Sequence, residues 1–307
     1  MESYQFLLNL AIILLSTKVL GLVTRKFHMP QVVGALLAGV ILGPAVLDML
    51  HETEFLDKLA EIGVIVLMFC AGLETDTREL KKSGKSAFII ALIGVIVPLA
   101  GGYAVAAYFN RPSVIASDAS GTAFLQNMFI GVILTATSVS ITVETLKELG
   151  KLKTHSGNAI LGAAIIDDVL GIIALTIITS MADSNVNLVT VLLKIAAFFL
   201  LSGVGGVIVY RLFARWSNNA EHGLQRHTIA AFALCLLLSF AAEKFFGVAD
   251  ITGAYIAGVI ISNTQKSQYL TSKFDTLSYL LLSPVFFASI GLKVELPAMT
   301  TQIILFA

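Results

Sequence analysis

Two adjacent aspartates, Asp167 and Asp168, lie in the middle of an apolar segment that is long enough to cross a membrane and runs from about Asn158 to Met181. A carboxylate at bilayer depth costs at least about 2.5–3.5 kcal/mol on insertion scales, and two neighbouring carboxylates also repel each other. Acidic residues at this depth are typical of ion paths and proton relays. The pair therefore predicts a site that holds a cation, a proton, or each in turn.

A cluster of hydroxyl side chains precedes the aspartate segment. It comprises Thr135, Thr137, Ser138, Ser140 and Thr142. Hydroxyls in a membrane helix can bond to carbonyls one turn earlier and loosen the helix, and a break there would turn half-helix ends toward a cation. The alternative is a set of small residues at a tight helix–helix interface. The neighbouring aspartates favour the break.

The two aspartates cannot share one orientation, because adjacent helix residues point about 100° apart. We expect one of them to line an aqueous cavity and bind the ion, and the other to meet a buried partner or stay protonated. Asn158 at the helix start is a candidate polar gate or a hydrogen-bonding residue of the helix end. Glu144 is a candidate lining residue of an inner funnel, although local pairing with Lys147 is the simpler interpretation.

The composition indicates an all-α protein with several membrane-spanning helices. Of the 307 residues, 57% are hydrophobic and 13% are charged, whereas soluble domains average about 45–50% apolar and about 25% charged residues. Twenty basic residues balance twenty acidic ones, which gives no indication of a nucleic-acid partner. The sequence lacks a Walker loop, a nucleophile elbow and a zinc-binding helix motif, so we expect neither an enzyme nor a cofactor.

Ten apolar segments predict spanning helices. They cover residues 4–24, 30–48, 56–73, 86–108, 122–147, 155–181, 187–215, 226–245, 248–263 and 270–291, and another begins near 299. Of the twenty Lys and Arg residues, two lie inside these helices and four lie in connections after even-numbered helices, which leaves fourteen after odd-numbered ones. This bias predicts that the N-terminus is outside.

Similar segments recur at an offset of 219 residues. GALLAGVIL at 34–42 matches GAYIAGVII at 253–261, and Gly72-Leu73 matches Gly291-Leu292. The copies begin at the first and the eighth predicted helix, and this shift by an odd number of helices predicts an inverted-topology repeat. We expect a first repeat over 1–186, a linker helix over 187–216 and an incomplete second repeat over 217–307. The counterpart of the aspartates would lie beyond Ala307, so we also expect a truncated chain.

The order and spacing of several motifs resemble one transporter family. TATSVS at 135–140, followed by IIDDVLGII at 165–173, is similar to the cation:proton antiporter superfamily, in the monovalent cation:proton antiporter branch that includes sodium/proton antiporters and potassium-efflux proteins. PQVVGALLAGVILGP at 30–44, EIGVIVLMFCAGLETD at 61–76 and PVFFASIGL at 284–292 extend the resemblance over nearly the whole chain.

The resemblance implies a fold of six, one and six helices, in which a dimerisation panel carries an ion-transporting core with two crossing broken helices. It implies that Asp168 carries the ion or proton, that Asp167 is the acidic position of electrogenic members, and that Thr137 and Ser138 lie in the first broken helix. Thr135, Ser140, Asn158 and Glu144 are accessory candidates.

The implied protein is a homodimeric antiporter of Na⁺ or K⁺ against protons in the bacterial inner membrane, with alternating access and a monovalent cation at Asp168. Ligand-regulated potassium efflux, with a soluble regulatory domain outside this chain, is one alternative. A transport-inactive sensor with the same fold is another, and an organic-anion:sodium symporter of related architecture is a third.

Overall fold

The computed structural model describes residues 4–111, 122–182, 187–218 and 224–296, and every regular element within these ranges is helical. The helices are α1 (Gln5–Lys26), α2 (Gln31–Leu42), α3 (Glu54–Glu74), α4 (Thr77–Phe109), α5 (Ala123–Ile133), α6 (Val139–Glu148), α7 (His155–Ala182), α8 (Leu188–Asn218), α9 (Leu224–Ala241), α10 (Asp250–Ser262), α11 (Ser267–Leu277) and α12 (Ser283–Leu292). Six of the described helical segments are long and apolar enough to cross a membrane, as an integral membrane protein requires.

Several helices differ from the sequence predictions, among them α2, which ends at Leu42 rather than near 48. The spanning segment predicted over 122–147 is divided into α5 and α6, at the break that its hydroxyl cluster predicts. Helix α4 begins at Thr77 rather than near 86, because the Asp76 side chain caps it by accepting hydrogen bonds from the backbone N–H groups of Arg78 (2.8 Å) and Glu79 (3.4 Å). The segment predicted over 270–291 contains a π-helical turn at Ser278–Leu282 between α11 and α12.

The helix boundaries follow the 219-residue offset. Moving α1 by 219 gives 224–245, which coincides within one residue with α9 and the π-helical turn after it, Ala242–Phe246. Moving α2 gives 250–261, within one residue of α10. In space α2 packs against α12 and α3 packs against α10, so each copy supplies one helix to each crossing. The domain boundaries drawn from the repeat remain predictions.

Two helical groups position the aspartates. The first group, α1–α3 with α9–α12, surrounds a core that includes Val66, Phe69 and Phe287. In the second group α4 packs along α7 through Ala87, Ala91 and Ala163. Helix α5 lies against α4 where Gly102 and Gly131 meet, and a Cβ on Gly131 would lie 2.7 Å from the carbonyl oxygen of Leu99. Small residues therefore bring α4, α5 and α7 close together around the aspartate segment.

Candidate ion-binding site

The hydroxyl-rich segment contains the predicted break. Helix α5 ends at Ile133, α6 begins at Val139, and the residues between them are not helical. The Ser138 side chain caps α6 by accepting a hydrogen bond from the Ile141 N–H at 3.3 Å. The carbonyl end of one half-helix and the N–H end of the other therefore meet at this point, and each end carries a partial charge.

The hydroxyls near the break have different partners. Thr135 is buried and donates to the Val132 carbonyl at 2.7 Å. Thr137 donates to the Thr135 carbonyl at 3.5 Å, and its side chain lies beside the Asp167 carboxylate. Ser140 is buried on the first turn of α6. Thr137 is thus the member of this cluster that connects the break to the aspartate helix.

The two aspartates lie in different environments. Asp167 is 7% exposed, and its Oδ1 atom is fully buried without a hydrogen-bond partner among the described residues. Asp168 is half-buried. A buried carboxylate oxygen without a donor is costly unless a proton or a cation completes it. The pair therefore combines an enclosed carboxylate with a more accessible one, as expected for neighbours about 100° apart.

Asn158 lies away from the aspartates. It is buried, its Nδ2 donates to the Thr154 carbonyl at 3.0 Å, and its Oδ1 has no partner within the described part of the chain. Ten residues separate Asn158 from Asp168, which corresponds to about 15 Å along a helix. Asn158 is therefore not a ligand of the same ion.

Glu144 lines a cavity between α6 and the helices α1, α2 and α12. The cavity has a volume of about 440 Å³, and its polar lining includes Lys18, Gln31, Lys147 and Glu148. Glu144 thus faces a cavity that contains both acidic and basic side chains, rather than the aspartate pair. Among the residues that the structure describes, no three His, Cys, Asp or Glu side chains gather into a metal site.

An ion-pair cluster at the end of α6 is not evident from the sequence. Lys147 contacts Asp275 of α11 at 2.5 Å and Glu74 of α3 at 3.7 Å, and Lys153 contacts Glu74 at 3.5 Å. Glu74 is the last residue of α3, and its side chain is only 12% exposed. These partners are distant in sequence, so local patterns give no signal for them.

Glu148 of α6 contacts the first residue of α2. Its carboxylate accepts hydrogen bonds from the backbone N–H of Gln31 at 2.7 Å and from the Gln31 side chain at 3.2 Å. An acidic group at a helix N-terminus is stabilised there, and Gln31 begins α2. Together with Lys147, Glu148 ties the end of α6 to α2, α3 and α11.

Comparison with known proteins gives consistent matches. The family model described as sodium/hydrogen exchanger, transmembrane, matches residues 11–307. The chain is 38% identical to the probable Na⁺/H⁺ antiporter GerT of Bacillus cereus, over 97% of this chain and 76% of that protein. It is also 38% identical to the Na⁺/H⁺-K⁺ antiporter GerN of Bacillus cereus, over 98% of this chain and 74% of the relative.

A solved structure has a similar fold. The sodium proton antiporter MjNhaP1 from Methanocaldococcus jannaschii, at pH 8, superimposes with a TM-score of 0.65 at 18% sequence identity. The match covers 96% of this chain and 72% of that one. At this identity the similarity concerns the fold, and it agrees with the antiporter-like fold expected from the sequence.

Proposed function

Since the chain belongs to the transmembrane sodium/hydrogen exchanger family, a family of secondary transporters, we propose that it exchanges a monovalent cation, Na⁺ or K⁺, for protons at Asp168 and Asp167. The observation that carries this proposal is the buried Oδ1 of Asp167, which has no hydrogen-bond partner among the described residues and lies next to Asp168 on a helix long and apolar enough to span a membrane. The broken helix beside it, with Thr137 against Asp167, supports the same site.

The chemistry follows from the cost of burying charge. A carboxylate inside the protein is unstable as a bare anion, so it holds either a proton or a cation. The two occupants exclude each other because each neutralises the same negative charge. If the transporting helices reorient only when that charge is neutralised, inward movement of one ion is coupled to outward movement of the other by alternating access.

The residues contribute to this exchange in different ways. Asp168, which is half-buried, receives the ion or proton from the aqueous path. Asp167 is enclosed, and Thr137 beside it supplies a hydroxyl oxygen. Ser138 acts by capping α6 and so holds the positive end of that half-helix in place.

The decisive experiment replaces Asp168 with Asn in the protein reconstituted into liposomes. We expect Asp168→Asn to reduce proton-driven ²²Na⁺ or ⁸⁶Rb⁺ uptake to the level of protein-free vesicles, because the amide cannot exchange a proton for a cation. Asp48→Asn is the matched control, since Asp48 lies in the exposed loop after α2 with φ 53°, a conformation that Asn also adopts. Full exchange by Asp168→Asn would overturn the proposal.

The choice between Na⁺ and K⁺ needs a separate measurement. The relatives are named as a Na⁺/H⁺ antiporter and as a Na⁺/H⁺-K⁺ antiporter, and we propose that this chain accepts a cation of the same kind. Competition of unlabelled Na⁺ and K⁺ against ²²Na⁺ uptake gives the ratio of their apparent affinities. Equal competition by Na⁺ and K⁺ would indicate that the protein accepts both cations.

We further propose a homodimer in the bacterial plasma membrane with its N-terminus outside. The distribution of Lys and Arg residues supports the orientation. Both native cysteines, Cys70 and Cys235, are buried, so a cysteine introduced at Lys81 can be labelled against a low background. We expect Lys81→Cys to be labelled only from the cytoplasmic side. Labelling only from the outside would show that the protein has the opposite orientation.

Light scattering of the purified protein measures the oligomeric state.

A further inference from the structure

Helix α4 presents an open backbone position to Asp167. Its residues Ala87 and Ala91 pack against α7, and Gly94 follows at the next helical spacing on the same face. A Cβ built on Gly94 would lie 3.9 Å from Asp167 Oδ1, and outside α4 itself no other heavy atom of the described residues would lie within 4 Å. The glycine therefore leaves free space beside the buried carboxylate oxygen.

Pro98 lies one helical turn after Gly94 inside α4. In a regular helix the N–H of residue 98 would donate to the carbonyl of residue 94, but proline has no N–H. The Gly94 carbonyl thus lacks its regular helical donor. Gly94 and Pro98 are four residues apart, so this carbonyl belongs to the turn of α4 that starts at the residue lying against Asp167.

Two acceptors without a regular donor then belong to neighbouring positions of α7 and α4. Asp167 Oδ1 is fully buried and has no hydrogen-bond partner among the described residues, and the Gly94 carbonyl cannot supply one. A proton can satisfy one oxygen at a time, whereas an alkali cation is coordinated by several oxygens at once. Carbonyls released from helices coordinate Na⁺ and H⁺ in other secondary transporters.

We propose that the Gly94 carbonyl, released by Pro98, is a ligand of the transported monovalent cation on the α4 side of Asp167. This inference rests on the proposed function and deepens it. The proposal adds α4 to a site that otherwise consists of α7 and the break between α5 and α6. The carbonyl has a fixed dipole and does not titrate, so it favours the cation-loaded state without competing for the proton.

The test restores the missing hydrogen bond. Pro98→Ala supplies an N–H that donates to the Gly94 carbonyl and removes a helix-breaking residue, so the variant is expected to fold. We expect the apparent KM for Na⁺ or K⁺ to rise about tenfold, as for the loss of one good polar contact to an ion, while the maximal rate at saturating cation stays within about twofold.

Gly94→Ala tests the same space by a different route. Its methyl group would sit at ordinary contact distance from Asp167 Oδ1 and occupy the opening, so we expect a similar increase in KM. Gly101→Ala is the matched control, because it adds a methyl group to the same helix where a Cβ meets nothing within 4 Å. Cation-dependent shifts of Tm in detergent give a second readout of binding that does not require transport.

The outcomes separate this inference from the proposed function. Loss of exchange in Asp168→Asn together with an unchanged KM in Pro98→Ala would overturn the carbonyl ligand and leave the antiporter proposal intact. A lower maximal rate at unchanged KM would also overturn it, since Pro98 would then act on helix shape or movement. Retained exchange in Asp168→Asn would reject the antiporter site itself, whatever Pro98→Ala shows.

Discussion

Gly72 and Gly258 lie backbone against backbone where α3 crosses α10. A Cβ on Gly72 would lie 2.9 Å from the Gly258 Cα, and a Cβ on Gly258 would lie 2.8 Å from the Gly72 Cα. The same relation recurs between Gly39 of α2 and Gly291 of α12, where a Cβ on Gly39 would lie 2.8 Å from the Gly291 Cα. An offset of 219 converts Gly39 into Gly258 and Gly72 into Gly291, so the two crossings are equivalent.

We expect alanine at either crossing to destabilise the protein. Gly258→Ala and Gly39→Ala both place a methyl group into backbone atoms, which cannot move aside as a side chain would. Overpacking of this kind costs about 1–3 kcal/mol, occasionally more. Thermal unfolding in detergent should show a lower Tm for both variants, with similar decreases because the crossings are equivalent. Gly203→Ala is the control, since its Cβ meets nothing within 4 Å, and an equal Tm for Gly203→Ala and Gly258→Ala would contradict the prediction.

The ion pairs of Lys147 are expected to hold α6 against the neighbouring helices. Lys147→Met leaves Asp275 without its 2.5 Å partner and removes one of the two cations beside Glu74. Because Lys147 is 29% exposed, we expect a loss of about 1–2 kcal/mol, below the 3–5 kcal/mol of a fully buried pair.

A double-mutant cycle of Lys147→Met and Asp275→Asn measures this coupling directly. The exposed pair of Lys82 and Glu79, 2.7 Å apart within α4, provides the comparison, and its cycle should give a much smaller coupling energy. Equal coupling in the two cycles would show that the pairs of Lys147 contribute no more than surface ion pairs do.

Thr137 and Ser138 should respond differently to substitution although they are adjacent. Ser138→Ala removes the cap of α6 and should lower stability by about 1 kcal/mol, whereas Ser138→Thr keeps a capping hydroxyl and should remain close to the unmodified protein. Thr137→Ala removes the hydroxyl beside Asp167 and should raise the apparent KM for the cation with little change in Tm. Paired measurements of Tm and KM test this separation, and a large Tm decrease in Thr137→Ala would contradict it.

Lys293 should stabilise the fold with a predictable pH dependence. Its ammonium group lies 2.8 Å from Asp57 and 2.9 Å from Glu52, and hydrogen bonds to these carboxylates raise the pKa of Lys293 above its ordinary value of 10.5. A raised folded pKa means that the contribution is complete below the unfolded pKa and is lost as the pH rises through the folded pKa.

The difference in Tm between the unmodified protein and Lys293→Met should therefore be constant from neutral pH to about 10 and disappear only at higher pH. Lys58→Met is the comparison variant. Lys58 forms an ion pair with Glu61 of its own helix at 2.8 Å, whereas Lys293 joins separate segments of the chain. A difference that already shrinks near neutral pH would assign the effect to another titrating group.

The sequence by itself determined the membrane class, the repeat and the position of the break. Long apolar segments and the 219-residue offset are properties of the linear chain, because spanning length and backbone satisfaction in lipid leave few alternatives to helices. Asp167 and Asp168 were recognisable from the sequence, because a carboxylate within a long apolar segment is unusual whatever the fold. Thr135–Ser140 indicated the break because hydroxyls compete locally with the helix hydrogen bonds.

Only the tertiary structure decided which residues meet. That Asp167 is the enclosed member of the pair, that Gly94 of α4 faces it, and that Glu74 pairs with Lys147 all depend on contacts between distant segments. Periodicity predicts which face of a helix is apolar, but it does not say which helix covers that face or at what depth. Close approach is decided by small residues such as Gly94 and Gly258, whose consequence becomes visible only once the opposing backbone is in place.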